Sequence, residues 1–152
     1  MSLFNSLAIS ATGMSAHRLW IDIIANNISN VNSTSPNGKP YKRKMPVFAE
    51  VLKEVDKELN ATLASFEFGE EPTEKKGNGV RTYKILEDNS PPKLVYNPGH
   101  PHANKDGFVS MPNVDVIKEM VDMIAANRAY DASVQTANAA KAMINKALEI
   151  GK

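Results

Sequence analysis

The chain of 152 residues contains no cysteine. Disulfide bridges, thiolate metal sites and nucleophilic cysteine chemistry are therefore excluded. The charge is almost balanced, with 18 basic and 17 acidic residues, so neither nucleic acid nor an anionic membrane surface is indicated as a partner. No apolar run approaches the ~20 residues of a membrane span, and no basic segment leads into an apolar core near the N-terminus. We therefore expect no direct membrane span, and export, if it occurs, without a cleavable signal peptide.

Patterns typical of an active site are also missing, because no nucleophile elbow, phosphate loop or acid–base pair with sensible spacing occurs. His100 and His102 are held by neighbouring prolines and would not both face one ion without strain. The pattern from His102 onward, with Asn104, Asp106 and Gly107, imitates a calcium loop, but His102 at its first position and Asn113 at its twelfth stand where aspartate and a bidentate glutamate belong. A tight turn shaped by Gly107 explains the segment better. We expect no catalytic residue, no cofactor and no metal.

The last forty residues, Asn113 to Lys152, contain the longest regular pattern in the chain. Asn113 or Asp115 can cap a helix there, and Gly151 can close it. Its apolar positions repeat in steps of four and three, which predicts a heptad seam on a helix about 50 Å long. The seam positions are Val116, Met120, Met123, Asn127, Tyr130, Val134, Ala137, Lys141, Ile144 and Leu148.

The first thirty residues follow the same spacing and predict a second long helix. Gly13 lies inside this helix and costs about 1 kcal/mol relative to alanine. The seam positions are Phe4, Leu7, Ala11, Met14, Arg18, Ile21, Ala25 and Ile28.

The two ends of the chain are therefore predicted to pack as an antiparallel coiled coil. An ordinary two-helix core is the alternative, but the apolar faces are larger than one partner would cover. The predicted fold class is mainly α with a small β-rich outer part.

The middle of the chain has weaker patterns. Ser33 to Lys44 is rich in turn residues and predicts a loop, whereas Val47 to Leu59 has helical spacing after Pro46. Residues 60–79 are charged and without period. Val80 to Leu86 and Lys93 to Tyr96 predict two short strands.

A cluster of asparagines ends the first helix, where their side chains can compete for backbone hydrogen bonds. This segment, Ala25 to Asn32, resembles the N-terminal signature of bacterial flagellar rod and hook proteins. Met111 to Asp115, Asn127 to Ala132 and Lys146 to Ile150 resemble the C-terminal helix of the same axial family. The common form of that family continues the asparagines with a Gly-Phe-Lys step, which the longer stretch from Ser33 to Lys42 replaces here.

The resemblance implies a structural subunit of the proximal rod, a drive shaft that transmits torque from the motor ring to the distal rod and hook. It implies an axial helical domain formed by residues 1–32 and 112–152, with residues 33–111 as an outer insertion. Implied partners are copies of the chain, the rod proteins FlgB, FlgF and FlgG, the rod-base adaptor FliE and the flagellar type III export apparatus. The implied location is the rod where it crosses the periplasm.

We expect the assembly interface to comprise seam and asparagine-cluster residues. They are Phe4, Leu7, Met14, Arg18, Ile21, Asn26, Asn27, Ile28, Asn30, Met120, Met123, Asn127, Tyr130, Val134, Lys141, Ile144 and Leu148. Arg18 is predicted either to set the register of the helix pair, near Asp131 to Gln135, or merely to extend from the edge of the stripe into solvent. Another proximal-rod subunit or a non-flagellar coiled-coil adaptor are the alternative functions.

Overall fold

A computed structural model describes residues 3–34, 38–52 and 77–150. Two long helices dominate it, and four strands lie between them in the chain. The elements are α1 (Leu3–Ser29), β1 (Lys44–Leu52), β2 (Gly77–Glu87), β3 (Lys93–Tyr96), β4 (Phe108–Met111) and α2 (Val116–Ile150). The prediction of two terminal helices with a small β part between them is confirmed. No helix in the described ranges is long and apolar enough to cross a membrane.

Polar side chains define the inner ends of both helices. The Asp115 carboxylate accepts hydrogen bonds from the amides of Ile117 and Lys118, at 3.0 and 3.5 Å, so Asp115 rather than Asn113 caps α2. At the end of α1, the Asn30 side-chain amide donates to the backbone carbonyl of Asn26 at 2.9 Å and to its side-chain oxygen at 2.7 Å. The asparagine cluster therefore does terminate the first helix. Gly151 lies outside the described residues.

The strands form two separate antiparallel pairs. β1 pairs with β2, from Lys44 opposite Glu87 to Leu52 opposite Gly77, with irregularities in register after Val47 and after Glu50. β3 pairs with β4, from Lys93 opposite Met111 to Tyr96 opposite Phe108. The two predicted strands are confirmed, but they pair with β1 and β4, which were not predicted.

The helix predicted for Val47 to Leu59 is wrong wherever the structure describes it, because residues 47–52 belong to β1. A short apolar run cannot be assigned by period alone, and here the β-branched Val47 and Val51 suit a strand. Pairing with β2 supplies the backbone hydrogen bonds that a helix would have made internally. Residues 53–76, with the rest of that helix and most of the aperiodic segment, lie outside the described residues.

The two helices run antiparallel, and small side chains face each other where Gly13 meets Ser133. A Cβ atom placed on Gly13 would lie 3.0 Å from Ser133 Oγ and 3.7 Å from Ser133 Cβ. Fourteen residues along each helix, Asn27 of α1 contacts Glu119 of α2. Both contacts define the same register.

The β1–β2 sheet packs on the side of α1. The amide of Val80 donates to Thr12 Oγ1 at 3.2 Å, beside Gly79, whose φ of +105° brings the strand backbone against the helix. On β1, Phe48 meets Trp20 edge-on, with ring centroids 6.0 Å apart. Ile23 and Ile24 are buried in the same part of α1. The core therefore lies where helix pair and sheet meet.

Candidate assembly interface

Asn27 is buried within the chain, and its side-chain amide is fully hydrogen-bonded. Its Nδ2 donates to the Lys44 carbonyl at 2.8 Å and to Glu119 Oε2 at 3.0 Å. Its Oδ1 accepts from the Lys44 amide and from the Tyr41 hydroxyl, both at 2.9 Å. Because a backbone amide can only donate, the Lys44 contact fixes the orientation of the Asn27 amide group. One side chain thus ties α1 to the start of β1 and to α2.

Glu119 is 0% exposed, and its charge is balanced by Arg43. The Arg43 Nε donates to Glu119 Oε1 at 2.5 Å, while a terminal nitrogen of the same guanidinium lies 3.3 Å from Asp122 Oδ2. A buried carboxylate is tolerated only when paired and hydrogen-bonded, and Glu119 meets both conditions through Arg43 and Asn27. We call Asn27, Tyr41, Arg43, Lys44, Glu119 and Asp122 the polar clamp.

Tyr41 contributes its hydroxyl to the polar clamp, where it donates to Asn27 Oδ1. Burial raises the pKa of its hydroxyl above the ordinary value, and the carboxylates of Glu119 and Glu87 raise it further. Tyr41 therefore remains a neutral donor to Asn27 throughout the physiological pH range.

Asn27 could be predicted as a site residue from its place in the asparagine cluster, but its partners could not. Arg43 and Lys44 stood in a basic loop, and Glu119 lay one position off the seam predicted for α2. No local pattern links residues separated by 76 and 92 positions, as Arg43 and Asn27 are from Glu119.

The predicted interface residues of α1 face different ways. Phe4, Leu7, Arg18 and Asn26 are exposed, whereas Met14, Ile21, Ile28 and Asn30 are half-buried. Among the predicted interface residues of α1, Asn27 alone is buried, and its hydrogen bonds are made inside the chain. The inner stripe of α1 instead runs through Ser10, Ala16, Ile23, Ile24 and Asn27.

The predicted seam of α2 is rotated by about one position relative to the face that meets α1. Met123, Tyr130, Val134, Ala137 and Ile144 are half-buried, whereas Val116, Met120, Asn127, Lys141 and Leu148 are exposed. The inner face comprises these half-buried seam positions together with Glu119, Ala126, Ser133 and Ala140. The small residues of that row permit the close approach at Gly13, so steric fit rather than hydrophobicity selects the inward face.

Two exposed apolar surfaces remain on the helix pair. The outer patch lies on the first turns of α2 and consists of Ile117, Met120, Val121 and Ile124, which are 55–76% exposed. The open end lies at the opposite end of the pair and consists of Phe4, Leu7, Met143 and Leu148. Groups of exposed large apolar side chains are typical of protein–protein contact sites.

His100 and His102 lie in the turn between β3 and β4. The His102 amide donates to His100 Nδ1 at 3.2 Å, which occupies one of the candidate ligand atoms. Gly107 has a φ of +79°, and its amide donates to the Asn104 carbonyl at 2.9 Å, which confirms the tight turn. Within residues 3–34, 38–52 and 77–150, no three histidine, aspartate or glutamate side chains are grouped to hold an ion.

A long antiparallel helix pair with exposed apolar flanks and a small β insertion is the architecture of a protein that functions by packing against neighbours. Sequence comparisons identify the family of such proteins to which the chain is similar. The model of the family described as flagella basal body rod protein matches residues 7–35, and that described as flagellar basal body rod FlgEFG protein C-terminal matches residues 105–150.

Full-length relatives sharpen the assignment. The chain is 40% identical to the flagellar basal-body rod protein FlgC of Bacillus subtilis, with 100% of both chains covered. It is 41% identical to FlgC of Borreliella burgdorferi, covering 99% of this chain and 98% of the relative. FlgC of Salmonella typhimurium is 35% identical, with 100% of both chains covered. The chain belongs to the FlgC family of flagellar basal-body rod proteins.

Proposed function

We propose that this chain is a structural subunit of the proximal rod of the bacterial flagellum, and that it polymerises by packing its helices against those of neighbouring subunits. Family membership over the full length supports the rod assignment. The observation that carries the packing mechanism is the pair of exposed apolar surfaces, the outer patch and the open end. A rod subunit of this kind transmits torque mechanically and is not an enzyme.

The proposed division of labour follows the chain. Residues 1–32 and 112–152 form the axial domain, in which α1 and α2 pack as an antiparallel coiled coil. The steps of four and three along the inner face of α2, from Glu119 through Met123, Ala126 and Tyr130 onward, support this packing. Residues 33–111 form the outer insertion, which the polar clamp attaches to the axial domain.

The proposed neighbours are other copies of the chain, FlgB, FlgF, FlgG and the adaptor FliE. The proposed route is type III export without a cleaved signal, followed by assembly in the periplasm. The absence of cysteine agrees with this route, since an unfolded chain entering an oxidising compartment would form no disulfide before folding.

The outer patch provides the test. Ile117→Ser with Val121→Ser removes two exposed apolar side chains from α2, and Lys118→Ser with Ala125→Ser changes two exposed neighbours outside the patch. In the bacterium that encodes the chain, we expect the first variant to be non-motile and without rods, and the control to swim. Both purified monomers should unfold within about 0.5 kcal/mol of the unmodified protein.

Normal rods in the Ile117→Ser/Val121→Ser strain would show that the outer patch is not an assembly surface. Electron microscopy of isolated basal bodies reads this directly. An export assay on the same strains confirms that the altered chain has left the cytoplasm, so that a block in assembly is separated from a block in export.

A further inference from the structure

One row of the inner face of α2, formed by Ala126, Ser133 and Ala140, is repetitive, so its small side chains do not by themselves define the register of the helix pair. Ala126, Ser133 and Ala140 are all small and are spaced by seven residues, so each can face Gly13 of α1. Moving α2 by one heptad, about 10.5 Å, from Ser133 to Ala140 places an equally small side chain opposite Gly13. A close approach is therefore available in more than one register.

The polar clamp does not repeat. Glu119 is the one carboxylate in that row, and it lies two heptads from Ser133, just as Asn27 lies two heptads from Gly13. In the register shifted by one heptad, Ala126 would face Asn27. Asn27 would lose a hydrogen-bond acceptor, and Glu119 would lose the donor nitrogen that lies 3.0 Å from it.

The clamp is also anchored outside the helix pair. Asn27 is bonded to both backbone groups of Lys44, and Arg43 reaches Glu119 from the residue before β1. Glu119 therefore meets partners on α1 and on the β insertion at once. A shift of α2 would break both attachments, and the cost of an unpaired buried charge corresponds to more than a hundredfold change in population, by order of magnitude.

We infer that the polar clamp, centred on Asn27 and Glu119, is the element that selects the register of α1 against α2. These two side chains are positioning residues: they choose among packings that the small inner row leaves nearly equivalent. This role differs from stabilisation, because an apolar clamp of similar volume would hold the helices together without choosing a register.

The cysteine-free chain allows the register to be read by disulfide trapping. Three double variants each carry Gly13→Cys, combined with Ala126→Cys, Ser133→Cys or Ala140→Cys. The 3.7 Å between the Cβ position on Gly13 and Ser133 Cβ suits a disulfide, whose Cβ atoms lie about 3.5–4.5 Å apart. In verified monomers, we expect the Ser133→Cys pair to close in a redox buffer more than about a hundredfold more favourably than the other two.

The first test makes the clamp apolar with Asn27→Leu, Arg43→Met and Glu119→Met. We expect helix content and resistance to urea to be retained, while the preference for the Ser133→Cys pair falls below about tenfold over the Ala140→Cys pair. Arg18→Leu is the matched control, since Arg18 is exposed and makes no ion pair among the described residues. It should leave the disulfide preference unchanged. An undiminished preference in the apolar variant overturns the inference.

The second test transfers the carboxylate by one heptad with Glu119→Ala and Ala126→Glu. If the clamp selects the register, the favoured disulfide moves from the Ser133→Cys pair to the Ala140→Cys pair. If packing or the connection before α2 selects it, the Ser133→Cys pair remains favoured and the inference fails. Should the transfer variant not fold, as circular dichroism would reveal, the apolar variant decides.

Discussion

The two ends of the helix pair have similar apolar spacing but differ in how far their side chains are buried. At the clamped end, Ile24 is 2% exposed and Glu119 is fully buried, whereas at the open end Phe4 is 73% and Leu148 is 67% exposed. Among the described residues, β1 and the loop before it cover the helices at the clamped end, whereas Phe4 and Leu148 receive no such cover. Two helices alone leave apolar side chains exposed. In this protein, side chains are buried where a third element, β1 with the loop before it, packs on the helices.

This contrast implies that, within the described residues, apolar side chains are well covered at the clamped end and poorly covered at the open end. The clamped end combines ion pairing, buried amide hydrogen bonds and apolar packing. At the open end, the segment of α1 from Leu3 to Ala16 has no charged side chain, and the ion pair there, between Lys146 and Glu149 of α2, is exposed. Under the proposed assembly, neighbouring subunits cover what the β insertion does not.

Asn27→Asp should break the clamped end and give the largest effect. The substitution replaces the donor nitrogen with a second carboxylate oxygen, which would face Glu119 and the Lys44 carbonyl at 3.0 and 2.8 Å. Leaving a buried charge opposed rather than paired costs about 3–5 kcal/mol. Urea unfolding of the monomer at pH 7 measures the loss.

The adjacent Asn26→Asp is the control for that experiment. Asn26 is exposed, and its side-chain oxygen accepts from Asn30, a role that aspartate also fills. The change should cost less than about 1 kcal/mol, mostly through a negative charge near the end of α1. Equal losses in the two variants would mean that the Asn27 amide contributes nothing specific.

Ile24→Ala and Phe4→Ala sharpen the comparison between the two ends. Ile24 is buried, so its truncation should cost the free monomer about 2–5 kcal/mol. Phe4 is exposed, so its truncation should change monomer stability by less than about 0.5 kcal/mol.

The effect of Phe4→Ala on assembly should be large, in contrast to its small effect on the stability of the monomer. In rods, we expect Phe4→Ala to weaken polymerisation although the monomer is unaffected, which sedimentation over a concentration range can follow. A stability loss in the Phe4→Ala monomer comparable to that of Ile24→Ala would show that the open end is already packed in the free chain.

Gly13→Ala combined with Ser133→Ala tests the middle of the pair and should stabilise the monomer. Alanine is favoured over glycine inside a helix by about 1 kcal/mol. The obstacle is Ser133 Oγ, 3.0 Å from the new Cβ position, and removing that hydroxyl leaves an ordinary contact of 3.7 Å. Thermal unfolding should therefore show a gain in the double variant that exceeds the gain in Gly13→Ala alone. Additive single effects would mean that the helices are not in close contact at this point.

Much of the fold could be predicted from the sequence because it depends on local patterns. Helix period and capping identified α1 and α2 and narrowed the cap of α2 to Asn113 or Asp115, and strand-like runs identified β2 and β3. The segment from Val47 to Leu52 could not be assigned in this way, since its structure depends on a partner strand more than twenty residues away. Glycine at position 79 and the small residues opposite Gly13 act through tertiary contact, which no period reveals.

The candidate site was predictable only in part. Heptad spacing located the apolar positions of α2 to within one position, because Glu119, Ala126, Ser133 and Ala140 are less apolar than the neighbouring Met120 and Val134. Hydrophobicity therefore located only part of the inward face, and it did not identify the small and polar residues that lie opposite Gly13 and Asn27. Likewise, Arg18 interrupts the predicted seam but is exposed, and the buried polar residue that meets α2 is Asn27.

Ser90→Ala should produce the smallest effect, at the edge of the clamped end. The Asp88 amide donates to the Arg43 carbonyl at 2.8 Å, so the turn that follows β2 supports the backbone carrying Arg43. The hydroxyl of Ser90 donates to Asp88 Oδ1 at 2.5 Å, and its amide donates to the same oxygen at 2.8 Å. These two hydrogen bonds lower the pKa of the Asp88 carboxyl, the hydroxyl being the larger cause.

Because the pKa of Asp88 is lowered in the folded state, its stabilising contribution is present at pH values above the unfolded pKa and is lost as pH falls through the folded one. Removing the hydroxyl should raise the pKa of Asp88 toward its ordinary value of 3.8. Ser90→Ala and the unmodified chain should then differ slightly in stability at neutral pH and converge in acid, while Ser90→Thr retains the donor. Carboxyl carbon NMR titration distinguishes the variants, and an unchanged Asp88 pKa in Ser90→Ala would show that the backbone amide alone holds the turn.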